Sequence, residues 1–322
     1  MTHAAQTTST HSRQPFVRGL IVPTVTAYTA QDTLDIGGIE RLARFYAEQQ
    51  VAGLFPGGTT GEFLLLSPKE REELLTATLR GVQSVAGATT QIIAHTGAAT
   101  LPEVLRLSRH AAGLGIQAVA VVTPYYYAYG EEEILAFYHR VCRALPELRV
   151  YAYTIPQRTG NTLSPAGVGS LMSEPNFAGI KDSSGDMHRL LALTEIPGLS
   201  VLAGADDLAG PFISHGGHGL VSGPGGIVPE LFQEFFRVLE SGDAARTLAL
   251  TRHIRVFSRI IRGGARIDYM KAGMDWRGLS NGPSRAPLSN MTADERRDLM
   301  RELDAFAADL AADGLPLREL VA

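Results

Sequence analysis

The residue best suited to covalent chemistry is Lys181, which directly follows the apolar run Phe177-Ala178-Gly179-Ile180. A short run of this kind reads as a buried strand, and burial disfavours an ammonium, so the amine at its end is placed to act as a nucleophile. A neutral lysine condenses with a carbonyl to give an iminium, which draws electrons from the adjacent carbon. The plainer alternatives are a lysine that reaches out to solvent or one that pairs with Asp182. Other residues bear on the choice. Gly57-Gly58-Thr59-Thr60-Gly61-Glu62 brackets two hydroxyls with glycines, and its amides could bind a carboxylate. The loop lacks the Gly-Lys-Ser/Thr ending of a phosphate loop, and its bland reading is a turn whose hydroxyls cap the next helix. Thr123-Pro124-Tyr125-Tyr126 and Tyr153-Thr154-Ile155-Pro156-Gln157-Arg158 also follow or end apolar runs, although a strand-end tyrosine is usually a packing residue with one wet edge. Taken together these segments supply the parts iminium chemistry needs: carboxylate holders, a proton shuttle, an electron sink and a cation for a second anionic group.

Those residues must be brought to one place, and the pattern along the chain says how. Short apolar or β-branched runs at 20–26, 53–55, 91–94, 118–122, 150–153, 179–181, 201–203 and 219–222 read as eight strands. Between and after them, helical periods fall at 36–49, 68–85, 102–112, 131–145, 165–172, 187–195, 206–215 and 229–239. Ser67-Pro68, Leu101-Pro102 and Ser164-Pro165 mark helix starts, since proline suits a first-turn position that needs no N–H. Eight such units predict an α/β chain folded as a (β/α)8 TIM barrel, whereas a doubly wound sheet would show fewer strands and a glycine fingerprint after the first. Further helices near 244–261, 268–274 and 293–312 predict a C-terminal helical extension. The expected organisation is a disordered tail over 1–15, a barrel over 16–240 and the extension over 241–322. In such barrels the active site lies at the C-terminal ends of the strands, where all four segments above would open together.

The composition narrows the function. Apolar residues make up 45% of the 322, and no run approaches the roughly 20 needed to cross a bilayer. The first residues lack the basic-then-apolar order of a secretory signal. The single Cys142, set in an apolar helical stretch, reads as a buried helix residue rather than a nucleophile, and a cytoplasmic location is expected. A net charge of -4 without basic runs gives no footprint for nucleic acid.

The quoted motifs resemble those of the dihydrodipicolinate synthase and N-acetylneuraminate lyase family of class I pyruvate aldolases, from Gly19 to about Leu310. They are Gly58-Thr59-Thr60-Gly61-Glu62, Thr123-Pro124-Tyr125-Tyr126, Tyr153-Thr154-Ile155-Pro156 and Gly179-Ile180-Lys181-Asp182, in this order. The resemblance implies that Lys181 forms the Schiff base and that Tyr153 moves the proton on and off the substrate. It also implies that Thr60, with Gly58 and neighbouring amides, holds the pyruvate carboxylate. Thr59 and Tyr126 would relay protons to Tyr153, and the main chain at Val221 would border the pyruvate. It implies a homotetramer or dimer of dimers with Tyr125 near the partner, and no metal or organic cofactor.

Within that family Arg158 matches the arginine that binds the carboxylate of aspartate semialdehyde, which favours the lysine-biosynthetic condensation with pyruvate. Thr154, Phe63 and Asp182 depart from the synthase pattern, and the last two look more like 2-keto-3-deoxy-sugar-acid aldolases and dehydratases, whose hydroxyaldehyde product Thr154 would contact. Three readings from other classes remain to be weighed. Gly223-Pro224-Gly225-Gly226 could hold a phosphate, although Asp206 and Asp207 nearby would repel it. His215 and His218 could bind a metal but lie on the loop entering strand eight, whereas His95, at the end of strand three, reads as a pocket wall. A catalytically silent binding protein would have no use for the intact Lys181, Tyr153, Thr59 and Thr60.

Overall fold

A computed structural model describes residues 14–317. Residues 1–13 of the expected tail and 318–322 of the expected extension lie outside the described residues. Eight parallel strands, β1 (Gly19–Val22), β2 (Gly53–Leu54), β3 (Gln91–His95), β4 (Ala118–Val122), β5 (Arg149–Thr154), β6 (Phe177–Asp182), β7 (Ser200–Ala203) and β8 (Gly219–Val221), close into a barrel in chain order. The last strand pairs with the first, Ile21 against Val221. Every expected strand is present. β1 is shorter than its apolar run because Pro23 has no N–H to continue the ladder.

Alternation along the strands separates two apolar sets. On β4, Ala118, Ala120 and Val122 belong to the cluster inside the barrel, whereas Val119 and Val121 pack outward under the helices. Tyr151 and Tyr153 point inward from β5 in the same way, and Ile180 outward from β6. Lys181 therefore faces the barrel axis by the period of two that puts Ile180 outside. Gly179 is required at its position, because a Cβ there would come within 2.1 Å of the Ser200 carbonyl oxygen.

The first helices are α1 (Ile36–Glu48), α2 (Pro68–Gln83), α3 (Leu101–Gly113) and α4 (Glu131–Ala144). The Ser67 hydroxyl caps α2 through the Glu70 amide, and Glu70 returns a bond to the Ser67 amide at 2.8 Å, a full capping box. Thr100 caps α3. Next come α5 (Pro156–Thr159), α6 (Pro165–Ser170), α7 (Met187–Thr194), α8 (Ala209–Ser214), α9 (Pro224–Ile227) and α10 (Pro229–Ser241). Ser164 caps α6 through the Gly167 amide at 3.0 Å. α5 and α9 were not expected, being too short to show a helical period. The helix read over 206–215 is a 3-10 turn, Asp206–Leu208, followed by α8.

Helices α11 (Ala244–Ile260), α12 (Ile267–Trp276) and α13 (Ala293–Ala312) form the C-terminal extension, with α13 packed on α11 and α12. Arg277 joins it to the barrel helices through a buried pair with Glu230, 2.8 Å apart. No helix among the described residues is long and apolar enough to cross a membrane.

Candidate active site

Lys181 sits inside the mouth of the barrel with its Nζ 4.0 Å from the centroid of the Tyr153 ring and 4.3 Å from that of Phe55. It is buried, and among the described residues no carboxylate lies within ion-pairing distance of it. Asp182, the neighbour on the strand, faces the other way and is held by Arg189 at 2.6 Å and by the Ser184 amide at 2.9 Å. Neither plain alternative for this lysine therefore applies: it does not reach solvent and does not pair with Asp182. Burial holds its pKa below the ordinary 10.5, opposed in part by Tyr153. Burial and the lack of a nearby carboxylate both weigh against the charged form of this amine.

Tyr153 lies opposite Lys181 in the β5–β6 register. Its hydroxyl hydrogen-bonds the Thr59 hydroxyl at 3.1 Å. Thr59 thus does not cap α2, a task Ser67 performs, and the two residues expected to work as a relay are in contact. The loop over 57–62 folds back on the Gly58 carbonyl, which accepts from the Gly61 amide at 3.1 Å and the Phe63 amide at 3.4 Å. That leaves the amides of Gly58, Thr59 and Thr60 without an acceptor among the described residues. Three N–H groups on one short loop are thus left available to an anion. Val221 lies buried on the inner face of β8, in the same cluster as Phe55 and Tyr153.

His95 was expected as a pocket wall and instead lies beneath this loop. Its Nδ1 is 2.7 Å from the Gly57 carbonyl oxygen, and Arg71 donates to its own carbonyl at 2.9 Å. Burial and then Arg71 push its pKa well below 6.5, and because a carbonyl oxygen only accepts, Nδ1 donates the hydrogen that holds Gly57. The edge of its ring meets Phe63 at 4.6 Å between centroids.

Above the lysine a cavity of about 760 Å³ opens between the barrel mouth and the C-terminal extension. Thr59 forms part of its wall, so the hydrogen bond to Tyr153 links the cavity to the lysine level. Arg158, on α5, also lines it and is exposed, and its guanidinium has no hydrogen-bonding or ionic partner among the described residues. Arg266 lines the same cavity but is neutralised, gripping Asp268 through two bonds of 3.0 and 2.5 Å and Glu295 through one of 3.0 Å. Part of the wall thus comes from the extension, at Ala265–Asp268 and Pro287–Ser289, a contribution that no local motif announced.

Tyr126 and Thr154 are turned away from both this cavity and Lys181. Tyr126 is 88% exposed, with its backbone in the left-handed region at φ 77°, and its ring meets Tyr127 rather than Tyr153. Tyr125 is the one that lines the cavity, edge-on to Phe63. Thr154 points away from the barrel interior, buried, with its hydroxyl 3.4 Å from that of Thr162, so it offers nothing to a substrate.

The competing sites fare poorly. Gly225 and Gly226 pack so closely that a Cβ would meet Leu20 at 2.7 Å and Val22 at 2.8 Å, and the Gly225 amide is already bonded to Ser222. The loop after β8 is a packing turn rather than a phosphate cradle. His218 Nδ1 accepts the Val201 amide and His215 Nδ1 contacts the Pro211 carbonyl, so each serves the backbone. Cys142 is buried on α4, and burial pushes its thiol up to about 12.

The family model described as "Dihydrodipicolinate synthetase family" matches residues 16–306. An uncharacterized DapA-like lyase of Halobacterium salinarum is 35% identical over 93% of this chain and 95% of its own length. A 4-hydroxy-tetrahydrodipicolinate synthase of Parasynechococcus marenigrum is 32% identical over 92% of this chain and 97% of its own. Among solved structures, DHDPS from Cyanidioschyzon merolae with lysine bound superposes with a TM-score of 0.85 at 26% identity, covering 91% of this chain and 99% of that one. YagE from E. coli K12, a member of the dihydrodipicolinic acid synthase family in complex with pyruvate, does so with a TM-score of 0.84 at 26% identity, covering 90% and 98%.

Proposed function

The chain belongs to the dihydrodipicolinate synthetase family, and from that premise we propose that it is a Schiff-base lyase that activates pyruvate on Lys181 for carbon–carbon bond formation with an aldehyde. The observation that carries this reading is a buried lysine lying on two rings with no carboxylate beside it, next to a tyrosine already hydrogen-bonded to Thr59. The neutral amine adds to C2 of pyruvate, and the carbinolamine loses water to give the iminium. Tyr153 then takes a proton from C3, leaving an enamine that attacks the aldehyde carbon, and returns a proton to the new alkoxide. The amides of 58–60, with Thr60, hold the carboxylate during these steps. A protein of the same family is known in complex with pyruvate.

Tyr126 makes no contact with Tyr153 in its own chain. Its role as a relay therefore requires delivery from a second copy, which accords with a homotetramer or dimer of dimers and with its exposure on a left-handed backbone.

For the second substrate, the free guanidinium of Arg158 supports a carboxylate-bearing aldehyde, aspartate semialdehyde first, and hence 4-hydroxy-tetrahydrodipicolinate synthesis. Deoxy-keto sugar acids would need hydroxyl partners, and three candidates are committed elsewhere: Thr154 is turned outward, Gln157 donates to Ser183 at 2.7 Å, and Thr159 donates to Asn161 at 2.9 Å. The test is incubation with pyruvate and borohydride, which should leave one reduced pyruvate adduct mapping to Lys181. An adduct on another residue, or none, overturns the mechanism. Turnover of sugar acids with no consumption of aspartate semialdehyde overturns the substrate and leaves the mechanism standing.

A further inference from the structure

The loop that carries Thr59 and Thr60 is gripped at its exit from the far side of the molecule. Glu62 ends the loop, buried, with its backbone in the left-handed region at φ 59°, a conformation that a non-glycine residue keeps only when its surroundings enforce it. Its Oε2 accepts from the Arg285 amide at 2.8 Å. Its Oε1 lies 3.1 Å from Nζ of Lys271, on α12 of the extension. That second contact is mainly Coulombic, since Oε1 receives no aligned hydrogen bond and Lys271 donates to the Pro283 carbonyl at 2.7 Å. Lys271 and Arg285 each lie 4.4 Å from the centroid of Tyr28, and Arg285 reaches on to the Leu65 carbonyl at 2.8 Å.

A buried pair of this kind is a poor way to gain stability, because well-packed apolar side chains of the same volume would serve as well or better. What it does supply is direction. Glu62 is the residue after Gly61, whose amide bonds the Gly58 carbonyl and whose carbonyl accepts from Thr26 at 2.7 Å. Turning Glu62 out of the left-handed region would redirect Gly61 and the three unpaired amides before it.

We propose that Lys271 is a positioning residue for the carboxylate of pyruvate: through Glu62, the C-terminal extension holds residues 58–60 in the conformation whose free amides receive that anion. The proposal rests on the pyruvate reading of Lys181.

The experiment measures, in the full chain, the pyruvate concentration giving half-maximal borohydride trapping and the limiting adduct per chain, with a melting curve for each variant. Glu62→Gln keeps shape and removes charge, Lys271→Met removes the cation, and the double variant leaves no lone charge behind. All three should raise the half-saturating pyruvate concentration about tenfold, the loss of one charge-assisted interaction, while the limiting adduct on Lys181 stays at one per chain. The double variant should melt above Lys271→Met. A half-saturating concentration within twofold of wild type in Glu62→Gln and in the double variant overturns the proposal, and Glu62→Gln decides it if Lys271→Met does not fold. Failure of the underlying reading looks different: wild type itself would trap no adduct at any pyruvate concentration.

Discussion

Lys181 and Lys271 are both buried, both have a pKa pulled below the ordinary lysine value by desolvation, and both lie over a tyrosine ring. They differ in one respect. Lys271 has Glu62 at 3.1 Å and a backbone carbonyl at 2.7 Å, whereas Lys181 has aromatic faces and no anion. Burial alone therefore does not tell the two lysines apart. The carboxylate beside Lys271 favours the charged amine and so keeps its lone pair occupied, while the rings around Lys181 offer a cation only the weak attraction of their quadrupoles. The barrel mouth gives its lysine a tyrosine and no counter-charge, and the extension gives its own a carboxylate.

The largest expected effect follows from this contrast. Lys181→Met should abolish trapping with pyruvate altogether and should not lower the melting temperature, since it removes a buried amine that has no carboxylate to offset its desolvation. In the wild type, the trapping rate at low pyruvate should rise with pH through a midpoint below 10.5, because the neutral amine is the reactive form and burial lowers its pKa. A Lys181→Met protein that melts well below wild type, or a midpoint at or above 10.5, breaks the account of a lysine buried without a counter-charge.

Lys271→Met should behave in the opposite sense. It strands Glu62 as a buried lone carboxylate, at a cost of about 3–5 kcal/mol, which calorimetry or denaturant unfolding would read directly. Trapping at saturating pyruvate should survive. Equal stability losses for the two lysine variants would mean that the pairing difference between them has no energetic content.

Tyr153 sharpens the reactive half of the comparison. Tyr153→Phe keeps the ring under Lys181 and deletes the hydroxyl bonded to Thr59, so the iminium should still form while turnover with an aldehyde falls about 10²-fold. Turnover close to wild type would reduce the tyrosine to a surface for the lysine to rest on.

Much of this contrast was legible in the chain, but unevenly. Lys181 announced itself because a single strand, Phe177–Asp182, carries both the apolar run and the amine, and strand-end polar residues of a barrel share one mouth. Thr59 and Tyr153 followed from the same rule. Lys271 did not, since it lies in a helix whose period looks ordinary and its partner stands on a loop near the other end of the chain. The wall that the extension lends to the cavity was hidden for the same reason, and the extension read as an appendage. The four-residue α5 carrying Arg158 was too short to show a period. Tyr126 was legible as a candidate from its motif, but a sequence gives the face a strand-end residue leaves by and not how far it then lies from Tyr153.

The smallest expected effect carries the comparison from amines to guanidiniums. Arg158 and Arg266 line one cavity, yet Arg266 already grips Asp268 and Glu295 while Arg158 grips nothing among the described residues. If the cation without a counter-charge is again the one kept for a ligand, Arg158→Ala should lower kcat/KM for aspartate semialdehyde about tenfold or more. That is roughly 1.4 kcal/mol, the scale of a charge-assisted bond, and it should appear mainly in the KM for the aldehyde. Pyruvate trapping should be unaffected, because Arg158 sits above the level of Lys181. Arg266→Ala should leave the aldehyde KM nearly unchanged and act instead on stability, since it frees a buried Asp268. An aldehyde KM that responds to Arg266 and ignores Arg158 would reverse the assignment and place the second anion against the extension rather than against α5.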